Sequence, residues 1–361
     1  MEVKVFNTFD SKELQETWEC LYEKSECTPQ SSFHWNYCWW EAYKSDNKNL
    51  EIITVVDNFT IIAILPMFIE AKYSLKKLKF IGDGLTDYAD IIFDCNYEMN
   101  ITFDIIDAYL KINKKWDIIL WNQINDRSSL YFLLANKYRK RKFIISCPTI
   151  IFTSNNWDDY ISLLGKSQRK NIKKRLKKFQ NDFSEFEICK YSKNNISENT
   201  VNEVIKIHSS RNEIRNQKSK FSVESGNLFY RKACVSMLNS DNAYLYVLKV
   251  NNTVFSYAFI LKGKNISYNW NSSFNPTYYD YSPGTVMESF VIQDLLKSGT
   301  SNYDFMRGGY DYKKRWLPKN SGVVSNNYLF VTGKRTLKSL LCSYYYFKGR
   351  DVLKLIYNRF K

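Results

Sequence analysis

The sequence predicts an α/β layer protein on three observations. Amphipathic helical stretches alternate with β-branched strand stretches over the first 150 residues; the alternation starts afresh after residue 156; and each half contains a strand–turn–strand unit with asparagine in its turn. In the first half, residues 11–22 place Leu14, Trp18 and Leu21 at helical spacing behind the cap residue Ser11, and residues 33–43 form an aromatic helix. Residues 51–56 and 60–69 are two strands turned at Asp57-Asn58. Strands at 78–82 and 89–93 flank a Gly-Asp-Gly loop, and helices at 101–110 and 128–140 enclose a strand at 117–122. In the second half, residues 166–183 set Ile172, Leu176, Phe179 and Phe183 on one helical stripe, and residues 199–212 form a further helix. Residues 244–250, 253–261 and 266–272 follow as a three-stranded meander turning at Asn251-Asn252 and Gly263-Lys264. The repeated hairpin points to duplication, with two similar domains over 1–150 and 151–333 and a basic, aromatic helical tail over 334–361.

Composition narrows the class. At 44% hydrophobic, with 24 Phe, 27 Tyr and 9 Trp among 361 residues, the chain can bury a large core, which excludes general disorder. The longest apolar run, 61–69, is too short to span a bilayer. The first ten residues have neither a basic leader nor an apolar signal core, so the expected location is the cytoplasm. Eight scattered cysteines without a Cys-x-x-Cys pair, and only two histidines, favour reduced, buried thiols over a metal site.

The charge is concentrated. Residues 166–178 hold eight basic side chains and no acid, residues 334–361 hold eight against Asp351 alone, and together they account for the whole formal charge of +15. Two basic elements therefore need explaining, and the rest of the chain is balanced. The first is an anchored helix whose outer face could attract CoA phosphates, a nucleotide sugar or tRNA, with a merely solvated basic face as the alternative. The second mixes its cations with Leu337, Leu340, Leu341, Val352, Leu353, Leu355, Ile356 and Phe360, a pattern for packing on the body or for peripheral contact with an anionic membrane.

Two segments carry chemistry. Ser282-Pro283-Gly284-Thr285 opens a helix after the strand containing Trp270 and Asn271: Ser282 is the expected cap, Pro283 fits the first helical position, and Gly284 leaves neighbouring amides uncovered. Uncovered amides at a helix start receive anions such as a pyrophosphate. Farther on, a strand ending at Asp304 runs into Gly308-Gly309 and then Tyr312, Lys313 and Trp316, so a carboxylate, a phenol and an ammonium converge. Asp304 could take a proton from an amine nucleophile and Lys313 could stabilise an oxyanion; a well-made helix start and a tight turn with surface charges remain the alternatives. His208 lies on a helix close to Arg211. Asp87 and Tyr88 follow the glycine-rich loop of the first half.

These motifs occur in a telling order: Phe33-x-Trp35, Ile64-Leu65-Pro66, Gly82 with Asp87-Tyr88-Ala89-Asp90, Ser167-Gln168-Arg169-Lys170-Asn171, His208-x-x-Arg211, Ser282-Pro283-Gly284, and Asp304-Phe305-x-x-Gly308-Gly309-x-x-Tyr312-Lys313-x-x-Trp316. Together, over about residues 1 to 330, the chain resembles the CelD/BcsL-type acetyltransferases of the GNAT (acyl-CoA N-acyltransferase) superfamily, relatives of the FemABX peptidoglycan aminoacyltransferases. The resemblance implies two tandem GNAT-like domains with mixed central sheets flanked by helices. It also implies acetyl-CoA or another acyl-CoA as co-substrate, with no permanently bound cofactor. The implied acceptor is an amine on a sugar nucleotide or lipid-linked sugar for surface polysaccharide. On that reading Asp304, Lys313 and His208 are the catalytic candidates, and Ser282, Pro283, Gly284, Thr285 and Arg169 bind the donor. Asp87, Tyr88, Trp270, Asn271 and Tyr312 bind the acceptor, and no residue binds a metal. The usual GNAT signature, Gln or Arg followed by x-x-Gly-x-Gly or Ala, is absent, which leaves an aminoacyl-tRNA donor open. A rival from another class is a non-catalytic nucleic-acid-binding protein using residues 166–178; the balanced charge elsewhere and the lack of a DNA- or RNA-binding motif count against it, and no DNA partner is expected.

Overall fold

The computed structural model describes residues 1–72, 75–193, 196–214, 216, 219–319, 322–333 and 336–348. In chain order, the first elements are β1 (Glu2–Phe6), α1 (Lys12–Lys24), α2 (Phe33–Tyr43), β2 (Lys48–Asp57), β3 (Thr60–Lys72), β4 (Leu75–Phe80) and β5 (Ile92–Phe93). Then come α3 (Met99–Ile112), β6 (Ile118–Asn125), α4 (Ser129–Lys137), β7 (Arg141–Ile151), α5 (Trp157–Ser162), α6 (Lys166–Asp182), β8 (Phe186–Tyr191), α7 (Glu198–Ile214) and α8 (Glu224–Asn239). The last are β9 (Ala243–Val250), β10 (Thr253–Lys262), β11 (Ile266–Phe274), α9 (Pro283–Lys297), β12 (Asn302–Asp304), α10 (Asp311–Lys314), β13 (Gly322–Gly333) and α11 (Leu337–Lys348). The chain forms two compact units: the first takes Met1–Trp40, Lys44–Ile145 and the residues from Asn326 onward, the second Glu41–Tyr43 and Ser146–Ser325.

In the first unit the strands lie in the order β1-β2-β3-β4-β6-β13, with β5 beside β3. Neighbours are antiparallel except β4 and β6, which run parallel, so the sheet is mixed. The hairpin between β2 and β3 turns at Asn58 and Phe59, both at positive φ, one residue later than the expected Asp57-Asn58 turn; Asp57 instead pairs with Thr60. Two left-handed residues are what a two-residue hairpin turn requires. Of the strand expected at 89–93, only Ile92 and Phe93 pair. β3 is buried without a break from Ile61 to Ile69, the burial pattern of a strand covered on both faces. Its core includes Ile64 and Leu65, together with Trp121 of β6 and Phe330 of β13. The segment after residue 333 packs here: Ser339 Oγ donates to the Asp117 carbonyl at 3.0 Å, and Lys77 Nζ lies 3.3 Å from the Tyr346 hydroxyl. Val352, Leu353, Leu355, Ile356 and Phe360 of the expected tail lie outside the described residues.

The second unit has the strand order β7-β12-β11-β10-β9-β8, also mixed, with β11 and β12 parallel and the others antiparallel. Its β9–β10 hairpin turns at Asn251-Asn252, again with both residues at positive φ. β10 is buried from Val254 to Leu261, with α9 packed on β10 and β11 and α6 packed on α9. On α6, Ile172 and Phe179 are fully buried and Leu176 and Phe183 partly so, as the helical stripe anticipated. One detail of register positions the site: β11 meets β12 only from Ile266↔Asn302 to Tyr268↔Asp304, while β11 itself runs on to Phe274. Beyond Tyr268, β11 therefore loses its partner on that side.

Candidate functional site

The turn after β11 shapes the start of α9. Asn275 Oδ1 accepts from the Thr277 amide at 3.1 Å and begins a short 3-10 turn over Pro276–Tyr281. Ser282 then takes a left-handed conformation (φ 54°, ψ 57°). Its side chain does not cap the helix, contrary to the sequence expectation. The Ser282 carbonyl makes the ordinary first bonds of the helix, accepting from the Thr285 amide at 2.8 Å and the Val286 amide at 3.2 Å. Pro283 has no N–H, so the Gly284 amide is the one left over in the first turn. A Cβ placed on Gly284 would meet nothing within 4 Å, so no side chain or backbone covers the residue on that side.

A cavity of about 600 Å³ lies within the second unit. Ser282, Pro283, Gly284 and Thr285 form one edge of it. From α6, Gln168, Asn171 and Arg175 face it at three- and four-residue spacing, the geometry of one helical face. Arg211 of α7 and Arg315 after α10 complete a set of three guanidiniums. Arg175 Nη1 donates to the Asp280 carbonyl at 3.3 Å while its Nε has no hydrogen-bond partner among the described residues. Arg211 sits 4.1 Å from the centre of the Phe274 ring. Three guanidiniums and an open helix-start amide around one cavity form a seat for a multiply charged anion.

Opposite charge enters at one deep position. Glu288, two turns into α9, lines the cavity yet is only 8% exposed. Asn269 of β11 donates from Nδ2 to Glu288 Oε2 at 3.2 Å and lies 2.9 Å from the Tyr303 hydroxyl, which also hydrogen-bonds the carboxyl. Oε1 has no partner among the described residues. Burial raises the carboxyl from its ordinary 4.5 to about 7, against the opposing pull of Tyr303, Lys313 and Asn269. Sequence reasoning passed over Glu288, although a signal was present: it is the lone charge in the apolar face of Val286, Met287, Ser289, Val291 and Ile292.

The expected site residues are placed as follows. Gly284 and its neighbours 282, 283 and 285 line the cavity, as does Tyr312, which is exposed and stacked on Tyr310. Arg169 does not line it; its guanidinium donates to the Ser162 carbonyl at 3.1 Å, and Arg175, two turns on, takes the cavity position. Asp304 and Lys313 are buried beside the wall, holding one loop. Asp304 accepts from the Met306 amide at 2.5 Å and from Thr149 Oγ1 at 3.0 Å. Lys313 Nζ donates to the carbonyls of Phe305 at 2.7 Å and Arg307 at 2.8 Å. His208 bonds through Nδ1 to the Tyr257 hydroxyl at 3.0 Å, and that hydroxyl donates to Asn271 Oδ1 at 2.5 Å. Since the phenol proton is committed to Asn271, Nδ1 of His208 carries the hydrogen of the pair. Burial and then Arg211 hold His208 down at about 4, so the ring is neutral at pH 7. Of this trio Tyr257 reaches the cavity. Trp270 packs among Phe221, Phe229, Tyr230 and Phe259. Asp87 and Tyr88 belong to the first unit, where their amides donate to Gln30 Oε1 at 2.9 and 3.1 Å.

Among the described residues no group of three His, Cys, Asp or Glu side chains is arranged to hold a metal ion, and no helix is long and apolar enough to cross a membrane. The family model described as an acetyltransferase (GNAT) domain matches residues 166–314, which spans α6 through α10 and includes all of the cavity's lining residues except Arg315 and Trp316. No curated protein matches the chain. Among solved structures, FemX is similar at 10% identity with a TM-score of 0.62, over 91% of this chain and 96% of that one. The C-terminal domain of a putative lysylphosphatidylglycerol synthetase from Agrobacterium fabrum is similar at 10% identity, TM-score 0.58, over 91% of this chain and 93% of that one. A conserved protein of unknown function from Bacteroides thetaiotaomicron is similar at 12% identity, TM-score 0.56, over 92% of this chain and the whole of that one. These likenesses concern the fold, which is the GNAT-like α/β arrangement with mixed sheets that the sequence predicts.

Proposed function

We propose that the protein is a GNAT-type acyltransferase that takes its acyl group from an acyl-CoA, with acetyl-CoA the preferred donor. The observation that carries this reading is the cavity at the start of α9, where the Gly284 amide and the Arg175, Arg211 and Arg315 guanidiniums face one space. The match of residues 166–314 to an acetyltransferase (GNAT) domain supports it independently. In this reading Gly284 and the arginines hold the donor pyrophosphate, and the partnerless stretch of β11 beyond Tyr268 lies beside the reacting thioester. Asp304 and Lys313, the sequence candidates for proton transfer and oxyanion stabilisation, act by fixing the loop around Gly308 that leads to Tyr312 and Arg315. The acceptor is an amine on a sugar nucleotide or lipid-linked sugar destined for surface polysaccharide, an assignment that rests on the sequence resemblance.

Calorimetric titration with acetyl-CoA tests the donor. A micromolar Kd is expected, weakened at least 30-fold in Gly284→Glu, whose side chain has room to fold but places a carboxylate in the anion seat. A second reading, aminoacyl-tRNA as donor, is favoured by the exposed Lys170, Lys173, Lys174 and Lys177 on the helix that carries Arg175. It requires tRNA binding that falls steeply with salt and no heat with acetyl-CoA.

A further inference from the structure

The acyltransfer reading accounts for the basic helix α6 and leaves the second basic element, the segment from Lys334 onward, without a role. The described part of that segment is α11, and its two faces differ. One face packs on the first unit. Ser339 is 2% exposed and bonded to the Asp117 carbonyl, Lys77 Nζ donates to the Tyr346 hydroxyl at 3.3 Å, and Lys142 Nζ donates to the Tyr346 carbonyl at 3.2 Å. The other face holds Leu340, Leu341, Tyr344 and Tyr345, which are 56%, 60%, 53% and 56% exposed. Their spacing sets these four on one side of the helix, across from Ser339 and Tyr346. Exposed apolar side chains scattered singly need no explanation, whereas a contiguous row of them on one helix does.

Cations flank that helix. Lys77 and Lys142 touch it directly, Lys76 beside Lys77 is exposed, and Lys142 ends the run Arg139-Lys140-Arg141-Lys142, whose first three residues are exposed. The sequence from Lys334 to Lys361 adds eight basic residues against Asp351 alone. This charge decides between occupants of the row. A second copy would bring another cationic segment against the first, and a neutral apolar partner would not match the cations. An anionic bilayer surface matches both features: leucines enter the boundary of the acyl chains, tyrosine rings lie at the level of the headgroups, and lysines and arginines meet lipid phosphates. We infer that α11 is an interfacial helix by which the first unit docks on an anionic phospholipid surface, with Leu340, Leu341, Tyr344 and Tyr345 as the inserted row. The contact is peripheral, since no helix among the described residues is long and apolar enough to cross a membrane. The inference uses no residue of the cavity, so it and the acyl-CoA reading can each fail alone.

Sedimentation of the full chain with vesicles tests it. Binding is expected to vesicles of equimolar phosphatidylcholine and phosphatidylglycerol and not to pure phosphatidylcholine, and it is expected to weaken as NaCl rises from about 0.1 to about 0.5 M. The double variant Leu340→Gln, Leu341→Gln is expected to lower the partition coefficient about 10-fold or more, with Tm unchanged because both side chains are exposed. Phe59→Asn controls for unspecific adsorption. Phe59 is 97% exposed in the same unit but precedes Thr60 at the opposite end of β3 from Glu70, the partner of Lys77, and its replacement is expected to change binding by less than about twofold. No sedimentation with anionic vesicles, equal binding to pure phosphatidylcholine, a double variant that binds like the wild type, or a loss in Phe59→Asn as large as in the double variant each overturns the inference. A Leu341→Trp probe, read as difference emission against the wild type, tells the occupants apart. Emission of a water-exposed indole that shifts to the blue only with anionic vesicles supports docking. Blue emission from the free protein at every concentration means that the chain covers the row with its own residues, and a blue shift that grows with protein concentration means that a second copy does; either result overturns the inference.

Discussion

Glu288, which is buried, and His208, which is half-buried, are titratable groups of opposite charge type, and their effects on stability run in opposite directions. Glu288 is raised on folding, from 4.5 to about 7, so the native state holds its proton more firmly than the unfolded chain. Its contribution is full below about pH 4.5 and is lost as the pH rises through 7, in total about 3 kcal/mol. His208 is lowered, from 6.5 to about 4, so its contribution is present above 6.5 and lost as the pH falls toward 4. The two windows overlap and partly cancel, and a melting curve of the wild type alone hides both. Glu288→Gln separates them: the variant is expected to gain in Tm relative to the wild type as the pH rises from 5 to 8, since glutamine never ionises. A Tm difference that stays constant over this range, read by calorimetry, would show that Glu288 is not buried as described. The helix start was legible because Pro283 fixes its own φ at a value that suits the first helical position. Glu288 was not, because its meaning comes from Asn269 and Tyr303 on other strands.

Elements were read most securely where a period and a boundary agree. α6 appears as anticipated because an apolar stripe of four residues survives among eight cations, and the β9–β10 hairpin because two asparagines accept left-handed geometry. The β2–β3 turn shifted by one residue because Phe59, 97% exposed, adopts positive φ in place of Asp57. α8, β8 and β13 have no sequence assignment; in β13 burial alternates from Ser325 to Leu329, but the inward residues Ser325 and Asn327 are polar, so no apolar alternation marks the strand. The cap at Ser282 is the instructive miss. The residue type was right for a capping hydroxyl, but a capping side chain needs an extended backbone, and at the left-handed Ser282 the hydroxyl makes no bond to the helix amides. Ser282→Gly is therefore expected to stabilise the protein by about 0.5–1 kcal/mol, by relieving left-handed strain in a residue with a Cβ. If the hydroxyl were the cap after all, thermal melting would instead register a loss of about 1 kcal/mol.

At the scale of the whole chain, the fold divides into two units whose membership does not follow chain order. The first unit takes its last strand from residues after the second: Phe330 is fully buried in its core, and Asn327 donates from Nδ2 to Gln123 Oε1 at 2.8 Å and the Asp87 carbonyl at 2.6 Å. Nothing in composition changes at Asn326, because a strand that returns to an earlier sheet looks like any other strand. Asn327→Ala is expected to cost about 1–3 kcal/mol, since it removes the Nδ2 donor to the Asp87 carbonyl and to Gln123 Oε1. A fragment ending at residue 321 is expected to lose the cooperative urea transition of the first unit, although it retains every residue from Met1 to Ile145. A normal transition in that fragment would mean that β13 is an ornament of the sheet and not a member.

The same topology sets an order of events on the ribosome. Translation delivers the first unit's opening residues early, yet that sheet cannot close until Gly333 has emerged, whereas the second unit has all its residues once Ser325 is made. The half that carries the cavity can therefore finish folding before the half that was begun first. During that interval the nascent N-terminal sheet waits with an unpaired β6 edge, the kind of exposed strand that chaperones hold.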